Sequence, residues 1–109
     1  MSVLLQISDP HFGTEQAPVV AALEALAAQQ RPDLLVLSGD ITQRARPAQF
    51  RAARALMDRL GAPLLAIPGN HDIPLFNLWA RLRHPYAQHC AAFGPNLEPV
   101  FHSPDVLVI

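Results

Sequence analysis

The sequence has little charge and a single cysteine. Of its 109 residues, 16% are charged, and the formal net charge is −1. This near-neutral balance excludes a general electrostatic attraction to nucleic acid or to an anionic membrane, so any recognition of phosphate has to be local. The lone Cys90 excludes an internal disulfide and is typical of a reducing compartment. We therefore expect a cytoplasmic protein.

Long apolar runs are also missing. None approaches the roughly 18 residues that a membrane-spanning helix needs. The opening MSVLLQISD has no basic segment and too short an apolar run for a signal peptide. Hydrophobic residues nevertheless make up 50% of the chain, the opposite of the balance in a disordered sequence. The sequence predicts a folded, unanchored protein whose length fits one domain or part of one.

Short apolar runs alternate with helical patterns in the first part of the chain. Residues 3–7, 34–37 and 64–67 lack polar alternation, as expected of buried parallel strands. Pro18 and Pro47 suit first helical positions, and apolar residues at helical spacing follow each of them. The order β-α-β-α-β predicts an α/β fold with right-handed crossovers and a mostly parallel sheet that is covered on both faces.

The patterns that follow Asp72 are shorter. Residues 75–82 and 86–93 predict two short helices, which we expect to form a small cap over the functional site. Residues 100–102 and the apolar run 106–109 flank a Ser-Pro-Asp turn, which predicts a hairpin.

Polar residues stand directly after all three predicted strands: Asp9 and His11, then Gly39 and Asp40, then Gly69, Asn70, His71 and Asp72. The carboxyl ends of parallel strands meet at one edge of an open α/β sheet, where ligands bind. Pro10 should restrict Asp9 to an extended conformation, so that Asp9 and His11 point from the same face. Gly39 and Gly69 should permit sharp turns ahead of the polar residues.

These side chains predict a metal site. They offer carboxylates, imidazoles and an amide but no thiolate, a set that suits divalent Mn, Fe or Zn. Without a cation, Asp9, Asp40 and Asp72 would repel one another in a partly desolvated cleft. Each short motif by itself is ordinary turn chemistry. Their occurrence in order, each behind a buried strand, favours the metal site.

Three motifs resemble the calcineurin-like metallophosphoesterase family: SDPHFG at 8–13, SGDIT at 38–42 and PGNHD at 68–72. The segment after Asp40 and the continuation at 73–75 are similar to the bacterial branch that includes class III cyclic nucleotide phosphodiesterases. The resemblance implies that residues 1–109 are a single phosphoesterase domain truncated at its carboxyl end. They would form half of a four-layer sandwich.

The resemblance also implies a binuclear centre of two divalent ions, Mn, Fe or Zn. Asp9 and His11 would bind the first ion, Asp40 would bridge the two ions, and Asn70 would bind the second. A hydroxide between the ions would attack a phosphomonoester or phosphodiester. The substrate would be small, with cyclic nucleotides as candidates.

Two catalytic roles follow from the same resemblance. His71 would not be a metal ligand: it would stabilise the phosphoryl transition state or protonate the leaving oxygen. Asp72 would orient the His71 ring.

Two alternatives remain open. One is a nuclease of the same superfamily, which the near-neutral charge disfavours. The other is a non-catalytic module that binds metal or another protein. Members of the family supply further histidines, a lone His and a Gly-His-x-His motif, and this sequence contains neither pattern. We therefore expect the 109-residue chain alone to bind metal weakly, to show negligible activity and to self-associate through its apolar run at 106–109.

Some downstream residues are weaker candidates. We expect His84 and His89 on the surface of the cap and His102 on a half-buried strand. Phe76 and Trp79 lie in the cap and are expected in the core, with stacking on a nucleobase as the alternative.

Arg44 and Arg46 follow Asp40 closely in the sequence. A substrate phosphate is one candidate partner for them, but arginines in loops are usually solvated. Solvation is the expectation here.

Overall fold

A three-stranded parallel sheet lies at the centre of the structure, a computed structural model that describes residues 2–75 and 77–109. Its strands are β1 (Leu4–Ser8), β2 (Leu34–Ser38) and β3 (Leu64–Ile67), in the order β1-β2-β3. The predicted β-α-β-α-β arrangement is confirmed. The central strand β2 places Ser38 level with the last residues of both neighbours, so the three carboxyl ends form one edge.

Helices α1 (Ala17–Gln30) and α2 (Pro47–Leu60) connect the strands. Each begins with a proline in its first turn, as predicted, and each is followed by a residue with left-handed backbone, Arg31 after α1 and Gly61 after α2. Glycine adopts this conformation without a steric cost, which makes Gly61 a natural end to α2.

Both helices pack against the same face of the sheet. The hydrophobic core lies between them and the strands, and its buried side chains are Phe12, Leu35, Leu37, Ile41, Ala53, Leu56, Met57 and Ala66. The crossover helices therefore cover one face, and the predicted cover of the second face has to come from another part of the chain. Two crossovers of one hand that step in the same direction across a sheet leave their helices on one side.

A hairpin stands over the other face of the sheet. Its strands, β4 (Phe101–His102) and β5 (Leu107–Val108), pair antiparallel, which confirms the predicted hairpin. A groove remains between the hairpin and sheet residues such as Val36 and Ile67. The end of the apolar run is open to solvent, with Ile109 89% exposed. The predicted self-association stays a prediction.

Two short helices, α3 (Leu78–Arg83) and α4 (Ala87–Phe93), follow the third strand, as predicted. Trp79 is 67% exposed, so the expectation that it joins the core is wrong. The guanidinium of Arg83 lies 4.8 Å from the centre of its ring. The predicted role of Phe76 falls outside the described residues. No helix within 2–75 and 77–109 has the length and apolar character to cross a membrane.

His89 on α4 is completely buried, whereas His84 is exposed. The expectation of a surface position is thus wrong for His89. The ring packs between Phe50 of α2 and Phe93, with ring centres 6.1 and 5.4 Å away. Phe93 is four residues further along the same helix, so the two side chains share a face. That face meets α2.

Candidate metal centre

The loops after β1 and β2 run side by side and continue the pairing of the strands. The backbone N–H of Asp9 donates to Ser38 O over 3.1 Å, and that of His11 donates to Asp40 O over 3.0 Å. Phe12 and Thr42 then form a further parallel bridge. His11 and Asp40 are therefore neighbours because their backbones are paired.

Three predicted site residues come together at this edge. His11, Asp40 and His71 each place a potential ligand atom within 4.8 Å of the other two. Nε2 of His11 lies 3.8 Å from Oδ2 of Asp40. The rings of His11 and His71 meet edge to face, with centres 4.8 Å apart and planes at 87°. All three residues are partly exposed, so a ligand can reach them.

Left-handed backbone is concentrated at this site. Asp9, His11 and Asp40 have φ values of 50°, 49° and 32°. Such conformations cost of order 1–3 kcal/mol for residues other than glycine and persist only where the surroundings enforce them. The prediction that Pro10 keeps Asp9 extended is wrong, because the pairing with the β2 loop determines the path of the chain.

Asp9 turns away from the cluster as a result. Ser8 Oγ donates to Oδ2 of Asp9 over 2.9 Å. The other carboxylate oxygen lies above Gly39, at 2.8 Å from where a Cβ would stand. Gly39 itself has φ 70°, so it supplies both the turn and the space for this carboxylate.

Asn70 begins a single 3₁₀ turn, Asn70–Asp72, directly after β3. It is exposed, and it lines the same open pocket as His71. Of the four predicted ligands, His11 and Asp40 therefore lie in the cluster of ligand atoms, whereas Asp9 and Asn70 lie outside it.

Asp72 is fully buried and binds backbone groups rather than the His71 ring. Oδ2 accepts from the N–H groups of Ile41 and Gly69 over 2.9 and 2.8 Å. Oδ1 accepts from the N–H and the hydroxyl of Thr42 over 2.7 and 2.8 Å. This one carboxylate joins the loop after β2 to the loop after β3, and so fixes Asp40 against His71.

The His71 ring is held by a main-chain oxygen. Nδ1 lies 2.8 Å from Gln43 O, so Nδ1 carries the proton and donates it to this carbonyl. Nε2 is the ring nitrogen that remains available to a ligand. The backbone N–H of His71 donates to Oδ1 of Asp40 over 2.9 Å. Both contacts place the imidazole beside the Asp40 carboxylate.

Gly69 is required for space. Its φ of −121° is open to any residue, so the predicted need for a sharp turn does not apply to it. A Cβ at this position would instead collide with the backbone N and Oδ1 of Asp40. The third loop can approach the Asp40 carboxylate this closely only because residue 69 has no side chain.

The residues present fit a divalent cation. Nδ1 of His11 is buried and has no hydrogen-bond partner among residues 2–75 and 77–109. The His11 nitrogen that lies toward Asp40 is Nε2, and with the carboxylate and the second imidazole it forms a donor set that suits a divalent cation. His11, Asp40 and His71 are the residues closest to holding such an ion.

Two contributors to the site were missed from the sequence. Gln43 acts through its carbonyl, a group that every residue carries, so no side-chain signal announces it. Thr42 is the last residue of the SGDIT motif, and its hydroxyl donates to Asp72 and accepts from the N–H of Ala45 over 2.9 Å. A threonine two residues after the candidate ligand Asp40 is the one signal that was available.

Comparison with known proteins places the chain in a family. A sequence model of the calcineurin-like phosphoesterases matches residues 2–106, and the chain belongs to that family. The resemblance identified from the three motifs is thereby confirmed.

Several named proteins are similar to part of the chain. A glycerophosphodiester phosphodiesterase of Enterobacter lignolyticus is 40% identical over 83 residues, which cover 64% of this chain and 29% of that protein. A probable cyclic nucleotide phosphodiesterase of Synechococcus is 38% identical over 80 residues, 65% of this chain and 31% of the relative. A component of the SbcCD nuclease of Bacillus subtilis is 27% identical over 113 residues, 89% of this chain and 29% of the relative. The chain thus spans less than a third of the length of these relatives.

Proposed function

We propose that the protein is a metal-dependent phosphoesterase that hydrolyses small phosphodiesters, cyclic nucleotides among them. The observation that carries the proposal is the group of His11, Asp40 and His71 at the carboxyl edge of the sheet. The two relatives named as phosphodiesterases support the choice of a diester as substrate.

The proposed ligands are those of the three motifs. Asp9, His11, Asp40 and Asn70 would hold two divalent ions, with Asp9 and His11 toward one, Asn70 toward the other and Asp40 shared, and with Mn, Fe or Zn as candidates. In this proposal Asp9 would exchange its hydrogen bond from Ser8 for the ion. When bound, two such ions lower the pKa of a water molecule and neutralise charge on the phosphate.

His71 and Asp72 have separate roles in this proposal. The ring of His71 carries one proton on Nδ1, which is committed to Gln43 O. Protonated on Nε2 as well, it donates a proton to the departing ester oxygen and stabilises the negative charge that develops there. Asp72 is a positioning residue, since its oxygens hold the backbone of the two loops that carry Asp40 and His71.

The alternatives differ in what they would bind. A nuclease remains a second candidate because of the similarity to the SbcCD component, although the net charge of −1 provides no general attraction to nucleic acid. In a non-catalytic module, the same residues would bind metal without ester cleavage. Weak metal binding and negligible activity of the 109-residue chain alone stay predictions.

The test is hydrolysis of bis(4-nitrophenyl) phosphate in the presence of Mn²⁺ by protein expressed from the whole reading frame, with the 109-residue chain in parallel. Asp40→Ala removes the carboxylate proposed to bind both ions and should abolish turnover. Asp58→Ala is the matched control, because Asp58 is exposed on α2 and pairs with Arg54. An unchanged rate in Asp40→Ala would contradict the two-metal assignment.

A comparison of substrates distinguishes the phosphodiesterase, the nuclease and the non-catalytic module. A cyclic nucleotide, a glycerophosphodiester and single-stranded DNA are offered at equal concentrations. Preference for DNA would favour the nuclease. Metal binding without cleavage of any ester would favour the non-catalytic module.

A further inference from the structure

The open pocket that Asn70 and His71 line also contains two arginines. It has a volume of about 350 Å³ and is lined by Arg44, Arg81, Asn70 and His71, with Gln43 and two aliphatic residues. Among the described residues, no carboxylate lines it. An ester held at the metal centre with its leaving oxygen toward His71 would therefore extend its leaving group into a pocket with two positive charges.

These two arginines are among the six of eight that form no ion pair within the described residues. Arg54 and Arg59 form ion pairs with Asp58 and Glu24 on the helical surface. Within 2–75 and 77–109, neither Arg44 nor Arg81 forms an ion pair. Two unpaired guanidinium groups that line one pocket repel each other in the free protein, and an anion between them removes that repulsion.

Both arginines are attached to the framework of the site. Arg44 lies two residues beyond Thr42, which Asp72 holds, and its backbone N–H donates to Oε1 of Gln49 over 2.9 Å. Arg81 comes from α3, and its Nη1 donates to Pro74 O over 3.3 Å. Their positions are thus tied to the same loops that carry Asp40 and His71.

We propose that Arg44 and Arg81 form an anion subsite that binds a second acidic group, a carboxylate or a phosphate, on the leaving part of the substrate. The inference rests on the proposed function for the orientation of the ester but not for the binding itself. Among small phosphodiesters, it would favour those that carry a second acidic group over cyclic nucleotide monophosphates, which carry only one. Arg44 is exposed, as expected from the sequence, and the proposal adds a role for this solvated side chain.

The test measures binding, so it does not depend on turnover. Propylphosphonate and 3-phosphonopropionate have the same length and differ in a methyl against a carboxylate; butylphosphonate and 4-phosphonobutyrate form a longer pair. Calorimetric titration at low ionic strength gives the affinity of each, with Mn²⁺ and with a chelator. Propane-1,3-bisphosphonate is a further arm that distinguishes a phosphate from a carboxylate as the second group.

We expect the acid-bearing member of at least one pair to bind about tenfold more tightly, which corresponds to about 1.4 kcal/mol. Arg44→Gln and Arg81→Gln should each reduce this ratio to about twofold or less, and added salt should weaken it because the attraction is between charges. Arg83→Gln is the matched control. It removes the same charge from the same helix, but Arg83 lies over Trp79 and does not line the pocket.

Equal affinities within both pairs would overturn the subsite, and so would an equal loss in Arg83→Gln, which would indicate only a general charge effect. Failure of the proposed function would give a different experimental result. In that case no ester is hydrolysed, while the ratio of affinities and its loss in the two variants remain measurable in the chelated protein.

Discussion

The carboxylate of Asp72 accepts both the backbone N–H and the hydroxyl of Thr42, at 2.7 and 2.8 Å. With the bonds from Ile41 and Gly69, this gives a fully buried carboxylate four hydrogen bonds. Bonds to a charged acceptor are among the strongest in proteins, and their loss leaves buried donors without partners. The loops that carry Asp40 and His71 are therefore held together from beneath, by a residue that need not touch the substrate.

Replacement of Asp72 by Asn tests this role. An amide keeps one acceptor oxygen and presents an NH₂ group to N–H donors, so we expect the free energy of unfolding to fall by about 2–3 kcal/mol. Urea denaturation measures the change. Asp58→Asn, which alters an exposed ion pair on α2, should stay within about 1 kcal/mol of wild type. Equal stability of the two variants would contradict the structural role of Asp72.

His71→Ala separates proton transfer from metal binding. We expect the rate of ester hydrolysis to drop by about 10²- to 10⁴-fold, the range for a general acid or base. Metal content, measured on the purified protein, should remain near wild type. His84→Ala is the control, since His84 is exposed at the end of α3 and should change neither quantity. A loss of metal in His71→Ala would instead make His71 a ligand, as its place in the cluster permits.

Gly69→Ala should weaken metal binding without any change in charge. A Cβ there collides with Asp40, so the carboxylate has to move, and we expect affinity for Mn²⁺ to fall about 10- to 100-fold, as for other changes that displace ligands. Gly61→Ala is the control, because it makes the same chemical change at a position outside the site. At φ 74° with open space around it, Gly61→Ala should cost about 1–2 kcal/mol of stability and leave metal affinity unchanged. Similar metal affinities in the two variants would refute the steric argument.

The buried imidazole of His89 should make stability depend on pH. Burial lowers the pKa of His89 below 6.5, while the Asp72 charge opposes this in part. The unfolded chain therefore binds more protons than the folded one as the pH drops below 6.5. Above pH 6.5 the contribution to stability is complete, and it is lost as the pH falls from there toward the lowered pKa.

A His89→Leu variant isolates this effect. Leucine fills the site between Phe50 and Phe93 without a titratable group, so the difference in unfolding free energy between variant and wild type should grow in favour of the variant as the pH falls. Denaturation at several pH values between about 5 and 8 covers the range in which histidine titrates. Parallel stability curves for the two proteins would show that His89 does not titrate on unfolding.

Much of the α/β fold can be predicted from the sequence alone. Unbroken apolar runs and prolines at helix starts predict the strands, the helices and the common edge at which Asp40 and His71 meet. The side of the sheet on which both helices lie depends on the direction in which the chain steps from strand to strand, and no local pattern carries that information. The turn of Asp9 away from the cluster likewise depends on how its loop pairs with the loop of β2.

The interior of the site was less accessible to sequence reasoning for a chemical reason. Asp72 was expected to bind an imidazole, but its partners are mainly N–H groups, which every residue except proline possesses. The same holds for the carbonyl of Gln43. Side-chain identity reveals which residues can bind a metal, whereas the main-chain contacts that aim them appear only in three dimensions.

The order of the strands has a consequence for how such a protein can be extended. Asp40 follows β2, the central strand, which is paired on both sides, while within residues 2–75 and 77–109 β1 and β3 each have one unpaired edge in the sheet. New strands can therefore be added at either margin without contact with the loop that bears this carboxylate. Asp40 therefore follows the strand whose pairing does not change when the sheet grows.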